Sequence, residues 1–101
     1  MIIYISGKMT GLPDCNYPEF NRVAALIRAM GHIVLNPAEN PAGLSYEEYM
    51  AIDLQYVWRC NVVVLLPGEE WKTSRGVAVE AQAALALGIP VISAHEMGIR
   101  R

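Results

Sequence analysis

Glu80 stands among small apolar residues, with Val77, Ala78 and Val79 before it and Ala81, Ala83, Ala84, Leu85, Ala86 and Leu87 after. A carboxylate buried there without a partner is costly, so it is either turned to solvent or retained for a task. Ser74-Arg75-Gly76 opens the same segment. A serine at that place caps a helix, and the freed backbone amides suit an anion. Asp53, between Ile52 and Leu54, is a second acid in apolar company, for which a solvated helix face is the other reading. Tyr4 sits in the run Ile2-Ile3-Tyr4-Ile5, so its hydroxyl needs a partner in the core or at a crevice. The next residues, Ser6-Gly7-Lys8-Met9-Thr10-Gly11, combine glycines that permit close backbone approach with the polar Lys8 and Thr10. This loop is neither G-x-G-x-x-G nor a Walker A sequence, which argues against dinucleotide and P-loop chemistry. No cofactor is expected.

These residues must be positioned by a small number of elements. Residues 2–6 read as a buried strand and 18–30 as a helix whose apolar positions Phe20, Val23, Ala24, Ile27 and Met30 recur at steps of three and four. Residues 32–35 read as a second strand halted by Asn36-Pro37, and 36–44 as loop. Ser45 with Glu48 forms a capping box, opening a helix that runs to about Cys60. Val62 to Leu66 is the most strand-like segment and belongs at the centre of a sheet. A third helix spans 74–87, stopped by Gly88, and a fourth strand spans 89–92. The tail after His95 is too short to assign.

Strands alternating with helices through short connections predict an α/β fold, a three-layer flavodoxin/Rossmann-like sandwich with a four-stranded parallel sheet in the order 2-1-3-4. That order puts the topological switch point between the first and third strands, where ligands bind outside the carboxyl ends. The loops after those strands carry Gly7 and Ser74.

At 101 residues the chain has room for one domain, 1–101, and its modest core makes association, as a homodimer, a natural supplement. Eight basic against ten acidic residues, a formal net charge of −2, lack the footprint of a nucleic-acid binder. A small molecule is the expected partner. Cys15 and Cys60 form no C-x-x-C, and His32 and His95 have no metal or triad spacing, so no metal or disulfide framework is expected. The apolar start reaches Gly7 and Lys8 too soon for a signal or membrane segment, so a cytoplasmic protein with no membrane partner is expected. Trp71, Met9, Tyr17 and Tyr46 are available to stack on or line a ligand, or to serve as packing and rim.

Three segments carry a family resemblance: Ile3-Tyr4-Ile5-Ser6-Gly7, the block from Asp53-Leu54 to Val62-Val63-Val64, and Ser74-x-Gly76-x-x-x-Glu80. Over nearly its whole length the chain resembles the nucleoside 2-deoxyribosyltransferase superfamily, in particular its small phage and bacterial domains. More distantly it is similar to the 2'-deoxynucleoside 5'-phosphate N-hydrolases. The resemblance implies cleavage or transfer at the N-glycosidic bond of a nucleoside or nucleotide. Glu80 falls on the nucleophile that attacks C1', Asp53 on an acid that assists the departing base, and Tyr4 on a tyrosine that orients the nucleophile. Ser74 falls on a serine that contacts a 5'-phosphate and Gly7 on the ligand-facing glycine, and Ser6, Lys8, Met9, Arg75 and Gly76 complete the expected substrate-binding set. The chain departs from those relatives at Thr10, where the phosphohydrolases carry an arginine, and at Asn61, where they carry an acid. A non-catalytic module binding a nucleotide-like ligand is the alternative.

Overall fold

β1 (Ile2–Ser6), α1 (Tyr17–Ala29), β2 (Ile33–Leu35), α2 (Tyr46–Arg59), β3 (Val62–Leu65), α3 (Arg75–Ala86) and β4 (Val91–Ser93) follow one another along the chain. The computed structural model describes all residues, 1–101. Its four strands form one sheet in the order β2-β1-β3-β4, every pair parallel. The register pairs Ile3 with Val62 and Ser6 with Leu65, so β1 and β3 end side by side. No helix is long and apolar enough to cross a membrane.

Alternation along the strands divides the core between the two faces of the sheet. Ile3 and Ile5 of β1, with Val62 and Val64 of β3, pack against Phe20, Val23, Ala24 and Ile27, the apolar stripe of α1. Tyr4 and Val63 point the other way, onto Val57 of α2, Cys60 just after it, and Ala84 of α3. Because Ser6 follows Tyr4 by two residues, its side chain also belongs to the α2/α3 face.

Local signals set the helix ends. Ser45 Oγ accepts from the Glu48 amide at 3.1 Å while Glu48 Oε1 accepts from the Ser45 amide at 2.9 Å, which closes the capping box at the start of α2. Ser74 Oγ accepts from the Val77 amide at 3.2 Å and starts α3. β4 begins two residues later than the apolar run suggests. Pro90 has no N–H to donate, and only its carbonyl joins the sheet, accepting from the Val63 amide at 2.9 Å. Ala94 and, from the unassigned tail, Ile99 are buried in the α1 side of the core.

Candidate functional site

Tyr4 and Ser6 present their hydroxyls to one face of β1, and the crossover from β3 lays α3 over that face. Glu80 meets both. Tyr4 Oη donates to Glu80 Oε2 and Ser6 Oγ donates to Glu80 Oε1, each at 2.7 Å. Glu80 is 4% exposed, so of the two readings open from sequence the buried one holds. Asp53, 8% exposed, is likewise buried and not on a solvated helix face. It reaches the same pocket from α2, and Asn40 Nδ2 donates to its Oδ1 at 2.9 Å. Tyr56 Oη in turn donates to Asn40 Oδ1 at 2.9 Å, and the Tyr56 ring lies 6.0 Å from that of Tyr4.

The electrostatics follow from this enclosure. Burial pushes the Glu80 carboxyl up to about 8; the negative Asp53 adds to the shift, and the Ser6 and Tyr4 hydroxyls oppose it. Asp53 is raised by burial and drawn back by its hydrogen bonds to Asn40 and Glu80. Two largely buried carboxyls that share one pocket therefore hold a proton between them near neutral pH. Tyr4 is driven well above the ordinary tyrosine range by burial and by both acids, so it stays a hydroxyl donor.

A cavity of about 620 Å³ opens over this pair at the carboxyl ends of β1 and β3. Tyr4, Asp53 and Glu80 form part of its wall, and Gly7, Lys8, Met9, Ser74, Arg75 and Gly76 also line it. Lys8 Nζ donates to Thr73 Oγ1 at 2.8 Å, linking the loops that follow β1 and β3. Four of the eight cations, Arg22, Arg28, Lys72 and Arg101, are paired with carboxylates. Lys8 and Arg75, both on the cavity wall, have no carboxylate partner. Tyr17, Tyr46, Tyr49 and Met50 supply aromatic and thioether surface to the same cavity.

Several residues sit differently from the sequence reading. Ser6, expected on the ligand, is 1% exposed and absent from the cavity wall, because strand alternation turns it beneath Glu80. Gly7 lines the cavity, but its lack of a side chain answers a packing need. A Cβ there would lie 2.7 Å from Leu66 Cγ and 3.1 Å from Phe20 Cζ. Asn61 is far from the chemistry: its Oδ1 accepts from the Ile2 amide at 2.7 Å, tying β3 to β1 at the end opposite the cavity. Trp71 lies outside the cavity wall, with its indole N–H on the Gly68 carbonyl at 3.0 Å. Asn40 and Tyr56 were missed altogether. Asn40 lies in the loop 36–44 and Tyr56 within the second helix, and nothing local signals that Asn40 meets Asp53 or that Tyr56 meets Asn40.

Comparison with solved structures finds the same architecture. A 2-deoxyribosyltransferase from Leishmania mexicana superimposes with a TM-score of 0.73 at 24% identity, covering 91% of this chain and 62% of its own. This chain thus spans less than two thirds of that protein. A 2-deoxyribosyltransferase from Bacillus psychrosaccharolyticus gives a TM-score of 0.68 at 19% identity, covering 92% of this chain and 71% of its own. A CMP N-glycosidase from Clostridium botulinum gives 0.64 at 16% identity, covering 92% and 67%. The fold is therefore that of the nucleoside 2-deoxyribosyltransferases. No curated protein matches the sequence. Residues 1–93 match the model of a domain of unknown function, DUF4406.

Proposed function

We propose that this chain, which belongs to the DUF4406 family, cleaves or transfers at the N-glycosidic bond of a nucleoside or nucleotide, with Glu80 as nucleophile. The observation that carries the reading is the buried Glu80 carboxyl, held by Tyr4 and Ser6 beside Asp53 in the wall of a cavity of about 620 Å³. A cavity of that size accommodates a nucleoside and its 5'-phosphate. The fold shared with deoxyribosyltransferases and a CMP N-glycosidase supports the same class of reaction.

In the productive state the proton held by the two acids resides on Asp53, and Glu80 is ionised. The hydroxyls of Tyr4 and Ser6 favour that arrangement, because each donates to the charged form of Glu80. A Glu80 oxygen forms a bond to C1' as the bond from C1' to the base nitrogen breaks. The bonding pair leaves with the base, and Asp53 delivers its proton there. The sugar is then held as an ester of Glu80. Water, giving a proton to the Asp53 carboxylate, attacks C1', and the ester oxygen departs as the regenerated Glu80 carboxylate. An acceptor base in place of water gives transfer, with overall retention in either case. The unpaired cations Lys8 and Arg75 on the cavity wall favour a ligand with an anionic substituent, such as a 5'-phosphate.

Chromatography of base release tests the reading, using a panel of nucleosides and 5'-monophosphates with and without an acceptor base, on wild type and Glu80→Ala. Release that depends on Glu80 is expected, and its dependence on acceptor separates transfer from hydrolysis. Thermal stabilisation by a nucleotide without release of any base would replace the enzyme with a binding module.

A further inference from the structure

Ser6 is the last residue of β1 and faces the α2/α3 side of the sheet, the side on which Tyr4, Val63, Val57 and Ala84 form an apolar cluster. A hydroxyl buried in such company needs a hydrogen-bond partner to offset its desolvation. Its partner is Glu80 Oε1, at 2.7 Å. Since Tyr4 takes Oε2 at the same distance, each oxygen of the carboxyl is pinned by a separate donor. The last torsion of a glutamate side chain is broad and roughly two-fold, so one donor leaves the carboxyl plane free to swing. Two donors on opposite oxygens fix the plane. A fixed plane matters to an attacking carboxylate, whose reactive oxygen must meet its target at close range and along the right line.

We propose that Ser6 is a positioning residue for Glu80, acting with Tyr4 as a two-point clamp that sets the carboxyl plane toward the cavity and steadies its negative charge. The role rests on the reading of Glu80 as nucleophile. Ser6 does not meet the ligand, since it is 1% exposed and contributes nothing to the cavity wall. The groups facing Glu80 are Tyr4 and Ser6 from β1 and Asp53 from α2, with Lys8 and Arg75 elsewhere on the cavity wall. Burial and Asp53 favour the protonated carboxyl; Ser6 and Tyr4 favour the ionised one. Loss of Ser6 therefore removes one of two contacts that keep the carboxylate available.

Ser6→Ala deletes the donor with almost no change in volume, and Ser6→Thr restores a hydroxyl. Carbon-13 NMR of the Glu80 carboxyl in the ligand-free protein is the first measurement. The Glu80 titration midpoint rises by about one pH unit in Ser6→Ala and returns toward the wild-type value in Ser6→Thr. On the substrate found by the base-release panel, kcat falls about tenfold in Ser6→Ala, KM is preserved, and the alkaline limb of the pH profile, where the proton shared with Asp53 is lost, moves up with the NMR midpoint. An unmoved Glu80 midpoint in Ser6→Ala would overturn the proposal, as would a rise in KM at constant kcat, which is the mark of a ligand contact. The NMR titration needs no substrate, so it decides the link between Ser6 and Glu80 even if no base is released and the glycosidase reading fails.

Discussion

Replacing Glu80 with glutamine should stabilise the protein, by an amount that grows with pH. Glu80 is 4% exposed, and its carboxyl titrates near 8 in the folded chain against an ordinary 4.5. Between those values the folded state keeps a proton that the unfolded state has released. The unfolded state then binds fewer protons, so stability falls as pH rises through this window, by about 1.4 kcal/mol per unit. At pH 5 the loss is below about 1 kcal/mol, and at pH 7 it reaches about 3 kcal/mol. Glutamine has the shape of the protonated acid and can still donate toward Asp53, while the Tyr4 and Ser6 hydroxyls remain within reach of its amide. It carries no charge to desolvate. Urea denaturation of both proteins at intervals from pH 5 to pH 8 isolates the effect of the Glu80–Asp53 pair, because the remaining titrating groups are common to both and largely cancel in the difference. The stability difference should widen steadily and level off near pH 8. A difference that stays flat across this range would refute the reasoning, since it would mean that Glu80 ionises in the fold as readily as in the unfolded chain. The stabilised variant should release no base, as expected where a destabilising buried acid is kept for function.

Other substitutions probe separate parts of the same argument. Asp53→Asn removes the proton donor to the leaving base, so kcat should fall by about 10² to 10⁴. The loss should shrink for a substrate whose base departs without protonation, and an equal loss on both would assign Asp53 another role. Arg75→Ala should raise KM for a 5'-monophosphate about tenfold or more while leaving that of the parent nucleoside within twofold. Equal KM changes on the two substrates would remove Arg75 from phosphate recognition. Gly7→Ala drives a methyl against the buried Leu66 and Phe20 and should cost about 1–3 kcal/mol in thermal or urea unfolding. Unchanged stability would show that Leu66 yields.

Much of the scaffold was legible because its signals are local. The capping box of Ser45 and Glu48, the β-branched run Val62 to Val64 and the 3.6-residue stripe of α1 each involve residues within a turn or two of one another. Strand order follows too, since short right-handed crossovers leave few arrangements. The family resemblance singles out Tyr4, Asp53 and Glu80, whereas local reading leaves Glu80 open between solvent and site and favours a solvated face for Asp53.

Tertiary structure decided what those residues touch. Tyr4 and Glu80 are 76 positions apart, and only the sheet register and the packing of α3 bring them to 2.7 Å. The same packing turned Ser6 from an expected ligand contact into a donor to Glu80, and joined Asn40 to Asp53 and Tyr56 to Asn40. Asn61 was drawn the other way, to the far end of the sheet, by its hydrogen bond to the Ile2 amide. Propensity, capping and periodicity act over a few residues, and so they are written in short stretches of sequence. Burial and the pairing of acids depend on which distant surfaces close over one another, and that is a property of the folded chain.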